Sequence, residues 1–512
     1  MRTGAPTGII AKNSQDWWRA AIVFLATFLR VFRLTELSEF LGDQGRTMLV
    51  MKDFLERGIV PLSGPTTLSG HALGPAFYYL LVPGYLVSGG VIGVTYWVAM
   101  LGVVAVLVLY ETAKRMFGIR QARVVSLLYA VSPFIIASDR TIWEPNLVPL
   151  FAILFLYLLY RAHYEARPRL WLGLGATIGV LLQLHYPNVY FALLVSAYWI
   201  WTFVTDKTKR PGMPASVLLV GAGAFVVLLP FLIHQSGVGF RDLLGVASVI
   251  RDGGGAMMGK RELLAHFVDY ASRVIGRAIP FMTKEAAVLL MALWGLFVLR
   301  YPTKRNMFLS VWFFGGTAAM ARYSGVVHDH YLYFLVPVPF LMIGSVLSLV
   351  RGKARNAVLV SVAVLMVAGS FISADMIPAG GRDIWRVSAA VSRIKAEANG
   401  EPFSFTLIAG RSFSDLHYRY FMSSMRIEPR RITDPSYRRL YLICDDNNSC
   451  PDASRVATKS AVTTLCYDYH CSGSYPVIPL DAEWKYSGVA TASGDYSSSA
   501  NIYMFLRNEG NP

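Results

Sequence analysis

Apolar and polar positions along this chain alternate in long blocks rather than residue by residue. Almost purely apolar runs recur near 17–36, 92–112, 121–138, 146–161, 170–185, 188–204, 213–234, 285–300, 306–321, 331–350 and 356–377. A helix of about 20 apolar residues is long enough to cross a bilayer core of about 30 Å. The pattern therefore predicts an all-α polytopic membrane bundle of about eleven transmembrane helices. The turns between the runs are basic: "AKRMFGIRQAR" at 113–123, "RAHYEARPR" at 161–169, "TDKTKRPG" at 205–212, "RYPTKR" at 300–305 and "RGKAR" at 351–355. Excess Lys and Arg marks the cytoplasmic side. All five clusters must then face one way, with an even number of crossings between any two.

One segment threatens that parity. The run 73–91, "LGPAFYYLLVPGYLVSGGV", is apolar enough to count as a span, and a full crossing would turn the first basic cluster outward. Pro75, Pro83, Gly84 and the Gly89–Gly90 pair instead suit a shallow or re-entrant helix, because helices facing lipid do not readily lose backbone hydrogen bonds. With that reading the N-terminus is cytoplasmic and the C-terminus external. The external connections are then 37–91, 139–146, 185–188, 235–284 and 321–331, and most of the unusual polar clusters fall there.

Composition agrees with the blocks. Of 512 residues 54% are hydrophobic and 16% charged, and the mean hydropathy is +0.44. A soluble chain carries nearer a quarter of charged residues. The net charge of +16 sits in short clusters between apolar runs, as membrane anchors do, so a nucleic-acid partner is not expected. No cleavage-site pattern stands in the N-terminal "MRTGAPTGIIAKNSQDWW", and the first apolar run is expected to stay as a helix.

The division expected is a membrane unit over 1–377 and an extracytoplasmic α/β unit over 378–512. The latter mixes an amphipathic run, "DIWRVSAAVSRIKAEA", with β-like runs, "FSFTLIA" and "RRLYLIC". All four cysteines lie in it: Cys444, Cys450, Cys466 and Cys471. Two local disulfides, 444–450 and 466–471, are favoured over a zinc site, since an external unit meets an oxidising compartment.

Several polar residues at the external loops are candidates for chemistry. Asp43, in "FLGDQGRTM", is either an N-cap for the helix that follows or a general base at the membrane surface. Arg46 can pair with it, bind an anion or remain solvated. His71 and Tyr78, in "GHALGPAFYY", would suit a sugar site or simply a loop ending in an interfacial aromatic belt. Glu144, in "DRTIWEPN", is a cap or ion-pair residue, or a site acid. His185, in "LQLHYPN", is an interfacial histidine or a substrate contact. Arg322, His328, His330 and Tyr331 crowd one junction, "RYSGVVHDHY", which favours anion or sugar binding over metal because no third ligand has a fixed spacing. Arg30 and Arg33 share a helix face near the end of the first span, where a charge is costly unless it meets an anion such as a lipid phosphate. The stretch "RDGGGAMMGKRELLAHFVDYASRVIGRAIP" reads as an interfacial helix or a mobile lid, with Arg261 or its basic neighbours available to a phosphate.

The order of one span, then "GDQGR", then "PLSGP" and "GHALGPAFYYLLVP", resembles the bacterial GT-C glycosyltransferases. That group includes the lipid A aminoarabinose transferase and the protein O-mannosyltransferases. "SPFIIASDRTIWEPNLVPL" and "LQLHYPNVYFALL" are similar to its second and third external loops, and the likeness runs from about residue 15 to residue 350. The resemblance implies an integral membrane transferase that moves a sugar from a polyprenyl-phosphate donor on the external face. Acceptors would be an envelope lipid, polysaccharide or protein. The family's acid in the first external loop corresponds to Asp43. Many relatives have a second acid beside it; here the neighbour is Gln44. No cofactor is firmly implied, and a divalent metal is left open. The alternatives are a transporter or flippase for a lipid-linked glycan, and a surface-polysaccharide polymerase or ligase.

Overall fold

A computed structural model describes residues 17–507 apart from 68–69, 253–258, 280–281, 324, most of 349–381 and short stretches of the C-terminal unit, namely 410–411, 413, 433, 435, 446–449, 451–460, 464–476, 480–483 and 494–498. The expected span 356–377, the glycine run 253–255 of the lid reading and Cys466 and Cys471 lie outside the described residues.

The chain opens with α1 (Trp17–Val31), a short α2 (Leu34–Leu37) and α3 (Gly42–Arg57). Next come α4 (Ala76–Ser88), α5 (Val91–Phe117), α6 (Ile119–Ala130), α7 (Pro133–Asp139), α8 (Val148–Tyr164) and α9 (Leu170–Leu184). They continue as α10 (Tyr190–Thr205), α11 (Met213–Gly237), α12 (Arg241–Asp252), α13 (Lys260–Ala278) and α14 (Lys284–Arg300). The last helices of the bundle are α15 (Lys304–Ser310), α16 (Gly316–Ala321) and α17 (Pro337–Leu347).

The expected count of eleven spans is not reproduced among the described residues. Five helical segments are long and apolar enough to cross a membrane: Val91–Phe117, Glu144–Tyr164, Tyr186–Thr205, Lys207–Gly237 and Asp329–Leu347. The pair α6 and α7, bent by 65° at its break, makes up to six. Local chemistry accounts for part of the difference. Ser132 is extended at the break, as the residue before a proline prefers. The run 306–321 is interrupted by a π-helical turn over Val311–Gly315. The run 73–91 is not among the eleven expected spans, and its helix α4, at 13 residues, is about 20 Å long, too short for a crossing of about 30 Å.

Small residues let the helices close on one another. A Cβ on Gly175 would strike the Val220 carbonyl, and one on Gly223 the Leu172 carbonyl, so α9 and α11 approach backbone to backbone. Gly102 on α5 faces the Asp139 carboxylate in the same way. The basic turns meet at one end of the bundle: Arg115 and Arg161 both reach Glu165, at 3.0 and 2.8 Å, and Lys209 donates to the His163 carbonyl at 3.1 Å.

Beyond the bundle, α18 (Asp383–Ala398) and α19 (Leu416–Ser424) accompany six strands, β1 (Phe403–Ala409), β2 (Arg439–Cys444), β3 (Ala461–Thr463), β4 (Val477–Pro479), β5 (Trp484–Ser493) and β6 (Ser499–Arg507). Four of them form a mixed sheet in the order β1-β2-β6-β5, with β1 and β2 parallel and the other pairs antiparallel; β3 and β4 pair separately. Val387, Val391 and Ile394 of α18 share a core with Phe405, Leu407 and Ile443 of the sheet. A disulfide joins Cys444 to Cys450.

Candidate active site

The turn bearing Asp43 is built from local rules. Arg33 adopts a left-handed conformation with φ of 51°, which ends α1 and redirects the chain toward α3. Leu41 caps α3, and the Gln44 side chain reaches back to accept the Leu41 N–H at 2.9 Å. This is the glutamine half of a capping box. The neutral amide at position 44 thus has a structural task, and it is buried. Asp43 is not the cap. Its carboxylate stands in the first turn, half-exposed, where the helix dipole favours negative charge, and it pairs with Arg46 at 3.0 Å.

The C-terminal unit fixes this turn from behind. A Cβ on Gly45 would land on the backbone of Leu416 and His417, and one on Gly42 on Ser412 and Ser414. The Gly42 N–H donates to Ser412 Oγ at 2.9 Å, Lys52 Nζ to the Ser423 carbonyl at 3.1 Å, and Arg382 pairs with Glu36 at 3.2 Å. Only glycines at 42 and 45 permit so close an approach.

On its other side the turn faces Tyr78 and Glu144, both buried. Arg46 and Asp43 are the charged side chains whose fields act on Glu144, and the same three charges surround Tyr78. Glu144 begins a 3-10 turn, Glu144–Leu147, with Pro145 at its start. Beside it lies an aromatic cluster drawn from three loops. Trp143 meets His330 at 4.6 Å between ring centroids, His185 meets His330 at 5.2 Å and Tyr331 at 4.7 Å, and His328 stacks on His330 at 5.6 Å. Four buried polar atoms around this floor have no hydrogen-bond partner among the described residues: Arg46 Nε, Glu144 Oε2, Asn146 Oδ1 and His185 Nδ1. Buried polar groups are satisfied in the great majority of cases, so these four atoms retain hydrogen-bonding capacity for a partner.

The structure brings Asp43, Arg46, Tyr78 and Glu144 into one neighbourhood and His185, His328, His330 and Tyr331 into an adjoining one. Other candidates stand apart. Arg30 is fully buried and pairs with Asp139 at 2.8 Å, with further bonds to the Ala26 and Ala130 carbonyls; it faces protein, not lipid. Arg33 pairs with Glu36 at 2.8 Å. Arg261 is exposed on the first turn of α13, and Arg322 is exposed just after α16, each without an ion pair among the described residues. Arg273 and Arg277 both clamp Asp329, which takes that acid away from the histidine pair. His71 belongs to another cluster, 3.9 Å from Asp242, which also accepts from Ala72 N–H at 3.2 Å and from Gln235 at 2.7 Å. Burial would raise the Asp242 carboxyl, but the Gln235 and Ala72 bonds and the charges of Arg241 and His234 hold it below its ordinary value. Trp143 and Asn146 lie in the quoted "DRTIWEPN", but the sequence offers Asn146 only as a cap of the next helix and gives Trp143 no role in a site. Among the described residues no group of three or more His, Cys, Asp and Glu side chains has metal-binding geometry.

The chain is similar to known proteins. The family model of dolichyl-phosphate-mannose-protein mannosyltransferases matches residues 71–234. The crystal structure of ArnT from Cupriavidus metallidurans bound to undecaprenyl phosphate aligns over 96% of this chain and 98% of its own, with a TM-score of 0.60 and 12% identity. The chain has the GT-C glycosyltransferase fold. The apo form of the same ArnT aligns over 95% and 98%, with a TM-score of 0.58 and 12% identity. No curated protein matches the sequence at a significant level. Within the GT-C fold, the stretch matched by the family model holds His71, Tyr78, Glu144 and His185, whereas Asp43, Arg46 and the 322–331 residues come from outside it. The apolar helices and the ArnT-like fold make the chain an integral membrane protein.

Proposed function

We propose that this protein is a membrane glycosyltransferase that moves a sugar from a polyprenyl-phosphate donor to an acceptor hydroxyl on the extracytoplasmic face, with Asp43 as general base. In this reading the acceptor is an envelope lipid, polysaccharide or protein. The N-terminus is cytoplasmic, and the unit from 378 onward is extracytoplasmic, where its disulfide would persist. Asp43 takes the proton of the acceptor hydroxyl as that oxygen bonds to the anomeric carbon. The bond from that carbon to the donor phosphate breaks, and the lipid phosphate leaves with the electron pair. Arg46 stabilises the charge growing on the phosphate. Glu144, His185 and the aromatic floor around His330 and Tyr331 orient sugar and acceptor.

The observation that carries the reading is the half-exposed Asp43–Arg46 pair beside four unsatisfied buried polar atoms at Arg46, Glu144, Asn146 and His185. An acid open to solvent, paired with an arginine and adjacent to polar atoms with hydrogen-bonding capacity left, can meet a hydroxyl and a phosphate together. The carboxylates present, Asp43 and Glu144, share the field of one arginine, and the mechanism routes no step through a metal.

Purified protein incubated with labelled polyprenyl-phosphate sugar tests the proposal. Asp43→Asn should lower transfer by about 10²–10⁴-fold, the usual worth of a general base, while membrane insertion is kept. Undiminished transfer by Asp43→Asn removes Asp43 from this role. Movement of the labelled lipid across a bilayer without bond cleavage would assign transport instead.

A further inference from the structure

The second feature of interest lies at the far end of the bundle. A cavity of about 360 Å³ opens among the ends of α5, α8 and α10 and the start of α15. Along α8 it stands about 22 Å from the Glu144 end, at 1.5 Å per residue from Val148 to His163. Its volume is within the range of small-ligand sites. Its lining includes the apolar Leu156, Trp201 and Phe308 together with His163, Lys304 and Arg305.

The two cations differ from the basic residues around them. Arg115 is matched by Glu111 at 2.6 Å and by Glu165, which also takes Arg161, and Lys209 is spent on a carbonyl. Lys304 and Arg305 have no acid within ion-pair distance among the described residues. Asp206 accepts from Thr208 through both its N–H, at 3.1 Å, and its hydroxyl, at 2.6 Å, and the charges of Lys304 and Lys209 act on it from beyond ion-pair distance. Arg305 is nonetheless rigidly placed. One amino group donates to the Met116 carbonyl at 2.7 Å, the other to Ser345 at 3.2 Å, its plane lies over Phe117 at 4.6 Å, and its buried Nε has no partner. A fixed guanidinium and an exposed ammonium line one apolar-walled chamber, neither in an ion pair among the described residues, and fit a singly or doubly charged oxyanion with an apolar extension.

We propose that this cavity binds a phosphate ester, with Lys304 and Arg305 on the phosphate and the Trp201 and Phe308 wall against its organic part. Two sources of that chemistry exist: the headgroup of an anionic phospholipid in the leaflet on the basic side, and a free phosphate ester from the adjoining water. The site is separate from the one proposed for transfer and does not depend on it.

The test uses the full-length protein in a zwitterionic detergent, titrated with phosphatidylglycerol, with phosphatidylcholine of the same chains, and with glycerol phosphate, and read by native mass spectrometry. Phosphatidylglycerol should bind about tenfold tighter than phosphatidylcholine, in line with a charged hydrogen bond. Lys304→Gln should remove most of that preference and Lys304→Arg should keep it. Lys304 is exposed, so the unfolding midpoint should stay unchanged in both variants. Binding of phosphatidylglycerol alone assigns a lipid headgroup; binding of glycerol phosphate as well assigns the phosphate group itself. Equal binding of the two lipids, or a preference that survives Lys304→Gln, overturns the proposal.

Discussion

Replacing Arg30 by Met tests whether that arginine holds the bundle together. Its guanidinium is fully buried and joins Asp139 across 109 residues of sequence. Nη1 also bonds to the Ala26 and Ala130 carbonyls, at 3.2 and 3.1 Å. Asp139 is buried too, and the backbone of Gly102 leaves the space its carboxylate needs. Removing one partner of a buried pair leaves an uncompensated charge, which costs about 3–5 kcal/mol. At 1.4 kcal/mol per tenfold, that is roughly two to three and a half powers of ten in the folding equilibrium. Replacing both partners, as Arg30→Met with Asp139→Leu, removes the orphaned charge together with its cause and should recover most of the loss. SDS titration of the purified protein in mixed micelles, followed by tryptophan fluorescence, gives the midpoints for both single variants and the double. A single Arg30→Met variant within about 1 kcal/mol of the parent, the range of exposed pairs, would refute the assignment. So would a double variant no better than the sum of the singles. If Arg30 instead met a lipid phosphate, the double variant would lose lipid binding while the coupling energy stayed near zero.

Three further outcomes are expected. Gly45→Ala should force a methyl into the His417 backbone at about 1–3 kcal/mol for overpacking, and displacement of the Asp43 turn should lower kcat more than it raises KM; parent-like transfer kinetics would count against the close packing. Because the Asp242 carboxyl is held below its ordinary value in the folded state, its contribution is full above the unfolded carboxylate value of about 3.9 and is lost as pH falls through the folded one. Asp242→Asn should therefore flatten the acid side of the stability profile measured by unfolding midpoints against pH, and an unchanged profile would contradict this. The Cys444–Cys450 bridge closes a loop with a sequence separation of 6, for which chain entropy gives about 2 kcal/mol; replacing both by Ser should raise protease sensitivity of the C-terminal unit by a corresponding factor, read by limited proteolysis.

Much of the architecture was written in local pattern. Residues 383–398, 403–409 and 439–444 form a helix and two strands where the sequence alternates with the matching period. Basic turns far apart in the chain meet at one end, as their shared charge requires. What pattern could not carry was set by tertiary contact. Arg30 reads as an arginine near a membrane surface until Asp139 is folded beside it. Gln44 looks like a missing acid until its amide is found bonded to Leu41. The run 306–321 is apolar throughout its helical part, and composition gives no sign of the π turn at 311–315. Asp43, Glu144 and His185 were individually visible as polar residues at loop positions. Their neighbourhood, and the inclusion of Trp143, depended on how 139–146, 185–188 and 328–331 converge.

The grip of Ser412 and His417 on Gly42 and Gly45 has a bearing on biosynthesis. The turn that holds Asp43 leaves the ribosome well before its seat, which is supplied by residues some 370 positions later. Contacts that distant form late. Shortened chains that stop before residue 412 would carry the described helices α1 to α17 and still lack the back wall of that turn.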